Sequence, residues 1–470
     1  MTPREFVECC DKLVRIDKPV SSHLEAAGII AALDGSPVYF SNVNGGWRLL
    51  SGFCSSRELI ASSLGTTGVE LLILLAQAMK TPLAPPTLPE GPCQEVVMES
   101  PDLRRLPILK HLAGDGGPYV TAGVAVIRDP EYGRNVCYHR LMVTGEREAV
   151  VRVVEGRGTH TAWSRGDDDP SGLSSQELAP SASSGRALST AKGRGLPIAF
   201  AIGCPLSVLL AAAMSPAKGV DEFAIANAIA PTPLVACRTV PLEVPAEAEI
   251  VIEGRLTHRM AAEGPFIDLT ETWDGVREQP VLEVDCITHR RDPIYHAVLP
   301  GLSEHKALMG LPREPGIYNA VRAVCDVRDV RLSRGGMSWL HALVRIRKRR
   351  PDDALRALRA AMEAHPSAKL VVVVDDDIPL DDPQRVEWAL ATRVQAGSDF
   401  YIYPGLPSSS LDPSAKQAKG QRSTSDKVGI DATIPWPASE APQDIEAETA
   451  RFRRLAYPKV DLAKYVMRDT

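Results

Sequence analysis

Ala262-Glu263-Gly264-Pro265-Phe266-Ile267-Asp268, with its polar tail Leu269-Thr270-Glu271-Thr272-Trp273, decides how this chain is read. It comes soon after the strand-like Glu249-Ile250-Val251-Ile252-Glu253-Gly254, so a Gly-Pro turn sets two carboxylates five residues apart on a loop that a sheet holds in place. Such a pair can divide into a buried acid that holds a proton and an ionised partner, the division that acid and base roles need at neutral pH. Two acids beside a Gly-Pro turn equally describe a solvated turn.

Working outward, short apolar strands recur between turns from about Pro107: Val120 to Ile127, Asn135 to Val143, Val150 to Val154, Ile198 to Gly203, Leu234 to Thr239, Glu249 to Glu253 and Val281 to His289. Many short strands with few helices predict a barrel-like β domain. The Ser/Gly/Ala/Asp-rich stretch Ser164 to Arg194 interrupts it and reads as a surface excursion or lid. On the N-terminal side, helical spacing over Pro3 to Lys12, Ser22 to Leu33 and Gly68 to Lys80 around the strand Pro37-Val38-Tyr39-Phe40 reads as α/β. Beyond Pro300 the pattern is α/β again. Strands are expected at Leu340 to Ile346 and Lys369 to Val374, helices at Asp352 to His365, Pro383 to Thr392 and Glu446 to Arg454, and a flexible stretch at Pro404 to Asp426. Domains over 1–106, 107–299 and 300–470 follow.

Composition limits the function. A hydrophobic share of 44%, a charged share of 24% and a net charge of -6 fit a globular protein and give no reason to expect a nucleic-acid partner. The longest apolar runs, such as Leu71 to Ala76 and Val208 to Met214, fall far short of the roughly 18 residues of a membrane span. The charged N-terminus (Arg4, Glu5, Glu8) does not resemble a secretory signal. Nine cysteines without a C-x-x-C pair suit reduced thiols, so a cytoplasmic enzyme is expected.

Other segments supply candidate chemistry. Asn135-Val136-Cys137-Tyr138-His139-Arg140 places 135, 137 and 139 on one face of a strand, and 138 and 140 on the other unless a bulge re-aims them. Ser215-Pro216-Ala217-Lys218-Gly219-Val220-Asp221-Glu222 delivers a carboxylate to a helix start, where it also suits the helix dipole. His160 is an imidazole near a strand end. Asn, His and Glu together suit a divalent ion that leaves positions open for phosphate oxygens. Asp375-Asp376-Asp377, at the carboxyl end of a strand, reads either as a metal site or as a helix-capping turn.

Taken in order, these segments resemble the UbiD-like decarboxylases. The resemblance rests on Asp115-Gly116-Gly117-Pro118-Tyr119-Val120-Thr121-Ala122-Gly123, Arg134 to Arg140, Val244 to Gly254, Glu263-Gly264-Pro265-Phe266, Leu370 to Asp377 and Lys427-Val428-Gly429-Ile430-Asp431-Ala432-Thr433. It implies a mixed α/β fold: an N-terminal α/β region, a central split β-barrel that binds prenylated FMN, and a C-terminal α/β region for oligomerisation, as a dimer or hexamer. It also implies Arg140, Glu263 and Asp268 as catalytic residues, with Asn135, Cys137, Tyr138, His139, Arg140, Met214, Glu222 and Lys427 around the cofactor. Asn135, His160 and Glu222 would hold Mn2+ or Mg2+, and Met214 would lie by a K+ ion. Strict spacing from Asn135 lands near Gly156, so His160 fits only with a short shift, and Glu155 is the substitute.

The implied reaction is non-oxidative decarboxylation. Losing CO2 leaves an electron pair on carbon that no side chain delocalises, so an electron-sink cofactor is required, supplied by a flavin prenyltransferase. Glu263 would return the proton, and Arg140 would hold the substrate carboxylate or pair with Asp268. Pro300 to Pro315 resembles an archaeal form of this segment, and the presence of only five asparagines points the same way. Both favour trans-anhydromevalonate 5-phosphate as substrate and isopentenyl phosphate as product, with Lys306, His305 and Arg313 as candidates for the phosphate. The alternatives are an aromatic or heteroaromatic acid (de)carboxylase and, from another class, a non-catalytic flavin-binding or assembly protein.

Overall fold

The computed structural model describes residues 1–165, 195–416, 423–438 and 442–455. Its longest strand, Ile250–Glu263, runs beside Arg277–His289 in the middle of a nine-stranded sheet and ends on the acid read first from the sequence. The strand order is Tyr119–Val120, Leu141–Val143, Glu148–Val151, Arg277–His289, Ile250–Glu263, Leu196–Ile202, Val124–Asp129 and Gly133–Tyr138, with Val96–Val97 added to Arg277–His289. Neighbouring strands are antiparallel throughout.

Both faces of the sheet are covered, because alternate residues supply two separate cores. Val124, Val126, Ala199, Ala201 and Val251 pack towards the helices Gly68–Lys80, Leu206–Ala213 and Glu222–Ile229. Ala125, Ile127, Ile198, Phe200, Ile202, Ile250 and Ile252 pack on the opposite side. Leu206–Ala213 is buried along its whole length, which is why its sequence is apolar on every side.

The N-terminal region adds a four-stranded sheet, Val14–Ile16, Val38–Val43, Trp47–Ser51 and Ile294–His296. Its last strand comes from after the central sheet and lies parallel to Trp47–Ser51. The buried Glu304 carboxylate then accepts the amides of Gly52 at 2.6 Å and Cys54 at 2.9 Å and meets His296 Nε2 at 3.0 Å. These contacts lock the helix Ser303–Gly310 onto the N-terminal sheet and so fix the side chains that follow Glu304.

The C-terminal region is a five-stranded sheet in the order Asp326–Leu332, His341–Arg347, Leu370–Asp375, Thr424–Ala432 and Phe400–Pro407, flanked by Asp353–Ala364 and Pro383–Arg393. The acidic run after Leu370–Asp375 is structural. Asp375 at 3.1 Å and Asp377 at 2.6 Å enclose the fully buried Arg393 guanidinium, and Asp375 also accepts the Ile434 amide at 2.5 Å.

Two expected strands are each split: Tyr119–Val120 stops before Val124–Asp129, and Gly133–Tyr138 before Leu141–Val143. The expected excursion Ser164 to Arg194 lies outside the described residues after Arg165, which closes the helix Gly158–Arg165. The last described helix is Pro442–Ala450, and strands Phe400–Pro407 and Thr424–Ala432 run into the two ends of the stretch read as flexible. Among the described residues no single helix is long and apolar enough to cross a membrane.

Candidate active site

Glu263 ends its strand opposite Arg277, the Gly264–Pro265 peptide is cis, and Phe266–Ile267 returns to pair with Trp273–Asp274. The Asp115-Gly116-Gly117-Pro118-Tyr119 segment packs onto this turn. Gly116 donates its amide to Pro265 O at 2.9 Å, and a Cβ at Gly116 would stand 2.3 Å from Gly264 O, so a larger residue would force the loops apart. That approach brings Tyr119 to the acid: its hydroxyl donates to Glu263 Oε1 at 3.1 Å while its ring stacks on Phe266, centroids 3.9 Å apart.

Arg140 arrives from the other direction. The strand Gly133–Tyr138 ends at Tyr138, whose hydroxyl donates to Leu209 O at 3.0 Å in the helical layer. Arg140 is thereby released from strand alternation and turns to Glu263, donating from Nε to Oε1 at 2.9 Å and from Nη2 to Oε2 at 3.0 Å. The pair is bidentate, and the Glu263 side chain is 0% exposed against 14% for Arg140. Arg140 Nη2 also donates to Asp274 at 2.7 Å, and Nη1 lies 3.7 Å from Asp268. Arg152 stands 3.9 Å from Asp274, and Arg277 is ion-paired with it. Three acids are therefore matched by three arginines. Burial, then the Arg277 and Arg140 charges, bring Arg152 down to about 10.

Tyr119 and Asp274 were not among the site residues read from the sequence. Asp274 becomes visible only through the hairpin register that sets it opposite Phe266, and Tyr119 only through the glycine contact between two loops distant in sequence. His305 joins the group from the helix Ser303–Gly310. Its Nδ1 accepts the Gly301 amide at 2.9 Å, which places the ring's N–H on Nε2, and burial lowers it to about 4, with the Asp268 and Arg140 charges acting on it in opposite directions. Lys306, by contrast, is ion-paired with Glu271.

Asn135, Cys137 and His139 share the second face of the arriving chain. His139 lies with Nδ1 2.9 Å from Arg152 O and Nε2 2.8 Å from Thr159 Oγ1 and 3.3 Å from Cys137 Sγ. Burial alone would raise the thiol and lower the imidazole, but their contact outweighs it, leaving Cys137 lowered and His139 raised. Glu222 accepts the Val136 amide at 2.9 Å, and burial pushes it up to about 8 because no cation among the described residues pairs with it. The position that faces Asn135 is Gly158, where a Cβ would stand 2.9 Å from Asn135 Oδ1. His160, two residues on, packs against Trp163 with ring centroids 5.9 Å apart, and Glu155 is exposed. Met214 caps the buried helix Leu206–Ala213. Lys427 is buried and donates to Pro366 O at 2.6 Å, and its charge is felt at His365.

Three models cover the chain in order: the N-terminal, Rift-related and C-terminal domains of 3-octaprenyl-4-hydroxybenzoate carboxy-lyase match residues 5–79, 87–303 and 306–432. The protein belongs to the UbiD family. This UbiD-family chain is 39% identical to an anhydromevalonate phosphate decarboxylase of Methanothermobacter thermautotrophicus over 90% of its own length and 95% of the relative's. It is 38% identical to the enzyme of the same name from Methanosarcina mazei, over 92% and 96%. Among solved structures, the UbiD-class enzyme HmfF from Pelotomaculum thermopropionicum, in complex with FMN, superposes with a TM-score of 0.86 at 36% identity, covering 98% of this chain and 99% of that one.

Proposed function

We propose that this UbiD-family protein is a prenylated-FMN-dependent carboxy-lyase whose substrate is trans-anhydromevalonate 5-phosphate and whose product is isopentenyl phosphate. The observation that carries the reading is the buried bidentate pair of Arg140 and Glu263, in a fold shared with a relative solved in complex with FMN. The names of relatives matched over nine-tenths of the chain support the choice of acid.

The described residues fit the implied groups. Glu222 is a buried carboxylate with no cation against it, and the amide oxygen of Asn135 faces the open position at Gly158. These two side chains, with His160 or Glu155 completing the set, would hold a divalent ion, Mn2+ or Mg2+, which would supply positive charge for binding the cofactor phosphate. The Tyr138 hydroxyl is committed to Leu209 O, so residue 138 would meet the cofactor through its ring or its backbone groups. Prenylated FMN, once bound, supplies the electron sink that decarboxylation requires.

The protein's own part is positional and acid–base. Arg140 orients the substrate carboxylate while Asp268 and Asp274 keep its guanidinium in place. The C–C bond to the carboxylate breaks and CO2 leaves; Glu263, freed from its bidentate pair as Arg140 takes the substrate carboxylate, relays to the carbon left behind a proton taken from solvent on substrate binding. Phe266 and Tyr119 shield that carboxyl from water. A homo-oligomer built through the C-terminal domain, loaded by a flavin prenyltransferase, completes the proposal. The test is co-expression with that prenyltransferase, an absorbance spectrum, and a CO2-release screen. Release from anhydromevalonate phosphate, and not from cinnamate-like or hydroxybenzoate-like acids, is the expected result; release from an aromatic acid alone would replace the substrate, and bound flavin without any release would leave a binding protein.

A further inference from the structure

Away from Arg140 and Glu263, the N-terminal region holds a cleft of about 210 Å³ lined by Arg4, Val7, Glu8, Arg15, Arg48 and Ile294. Arg4, Val7 and Glu8 share one face of the helix Pro3–Cys9, at i, i+3 and i+4 spacing. Arg15 comes from the edge strand Val14–Ile16, Arg48 from Trp47–Ser51, and Ile294 from the parallel strand in register with it. Strand alternation sets the direction of Arg48. Leu49 belongs to the core on one side of this sheet and Leu50 to the core shared with Phe6 and Val7, so Arg48 stands with Leu50 on the side of the helix.

The three guanidinium groups are not equally occupied. Arg4 is neutralised: it donates to the two Glu249 oxygens at 2.8 and 2.9 Å and reaches Arg291 O and Asp292 O at 3.1 and 2.9 Å. Arg15 donates to Val7 O and lies over the Tyr39 ring, 5.4 Å from its centroid, and has no carboxylate partner among the described residues. Arg48 has less still. Its Nε and Nη2 are shut off from solvent without an acceptor among the described residues. Two desolvated N–H groups without acceptors are costly, whereas an apolar residue at this position would extend the packing of Val7 and Leu50 without that penalty. Glu8 is the one acid in the lining, and it is exposed.

We propose that this cleft is an anion site separate from the active site, taking a small phosphate-bearing compound between Arg48 and Arg15. The donors select the class, because guanidinium groups present paired N–H donors that match the oxygens of a phosphoryl group. Val7 and Ile294 add an apolar wall that suits a short hydrocarbon tail. Size sets the limit: at about 30 Å³ for each water the cleft has room for about seven, enough for a phosphate with a few carbons and too little for a flavin nucleotide. No residue read for catalysis, cofactor or metal lines it, so the proposal stands independently of the decarboxylase reading. An occupant would join the first helix, the edge strand and the strand paired with Ile294–His296, and so stabilise the N-terminal region as any ligand of the folded form alone does.

The test is calorimetric titration of the full-length, flavin-loaded protein in chloride buffer with inorganic phosphate and with butyl phosphate, repeated on Arg48→Gln, Arg15→Gln and Glu8→Gln variants. Arg4 is left in place, since its removal would strand the buried Glu249. Arg48→Gln is expected to weaken phosphate binding about 10- to 100-fold, the loss of a charge-assisted contact, with Arg15→Gln moving the same way by less. Glu8→Gln removes the negative charge of the lining and should strengthen binding about two- to fivefold. Tighter binding of butyl phosphate than of phosphate supports an organic ligand, and equal affinity supports the free ion in the same cleft. Phosphate held at the active site would survive all three substitutions, so an affinity equal in the wild type and the three variants would overturn the proposal. Arg15 and Glu8 are exposed, so their variants decide the matter even if Arg48→Gln does not fold. Should the wild type release no CO2, the decarboxylase reading fails while the titrations still decide the cleft.

Discussion

Exchanging the members of the Arg140–Glu263 pair one at a time should give unequal results. The Glu263 carboxylate is 0% exposed and takes both its guanidinium contacts from Arg140, whereas Arg140 is 14% exposed and keeps Asp274 at 2.7 Å when Glu263 is neutralised. Arg140→Gln strands a buried charge and should cost about 3–5 kcal/mol. Glu263→Gln preserves shape and an acceptor for Tyr119, and should cost about 1.5–3 kcal/mol, the value of hydrogen bonds to a charged group. The double variant removes the stranded charge and should be more stable than the sum of the two losses implies. Activity should rank differently: Glu263→Gln removes the proton donor and should lower turnover by about 10²- to 10⁴-fold with flavin still bound. Denaturant midpoints for the four proteins, alongside CO2 release and flavin absorbance, measure both. Wild-type turnover in Glu263→Gln, or a larger stability loss there than in Arg140→Gln, would refute the reasoning.

Tyr119→Phe keeps the stack on Phe266 but removes the hydroxyl 3.1 Å from Glu263, so kcat should fall about tenfold with KM nearly constant and the pH–rate profile displaced. Glu222, pushed up to about 8 by burial in the metal-free chain, must lose its proton to bind an ion; Mn2+ uptake by the apoprotein should strengthen from pH 7 to 9, and Glu222→Gln should abolish that dependence. Gly158→Ala puts a Cβ 2.9 Å from Asn135 Oδ1 and should lower Mn2+ retention, measured by metal analysis. Gly116→Ala, with its Cβ 2.3 Å from Gly264 O, should push the Glu263 turn out of place and reduce both stability and turnover, whereas Gly45→Ala meets nothing within 4 Å and serves as the strained-backbone control at φ +81°.

Much of the site was legible in the chain because its residues sit in short segments whose local chemistry is unusual. Glu263 follows a strand and precedes Gly-Pro, and Asn135 to Arg140 mixes an amide, a thiol, an imidazole and a guanidinium on one strand. Both segments do converge, yet the alternation rule misplaced Arg140, since the strand stops at Tyr138 and the rule with it. The acidic run after Val374 offered two readings, and the choice belonged to Arg393, a residue sixteen positions beyond Asp377.

By itself, the order of apolar runs, turns and charged residues set out the α/β, β-rich and α/β readings in turn, because periodicity follows from neighbours along the chain, while Glu263 and Arg140 were singled out by the resemblance of their segments to the UbiD-like decarboxylases. What tertiary structure alone decided was which distant groups meet: Tyr119 on Glu263, Asp274 on Arg140, Gly158 against Asn135, and Arg393 between Asp375 and Asp377. The physical reason is that pairing and burial depend on register and on loop-to-loop approach, and a gap or a missing partner has no signature along a single chain.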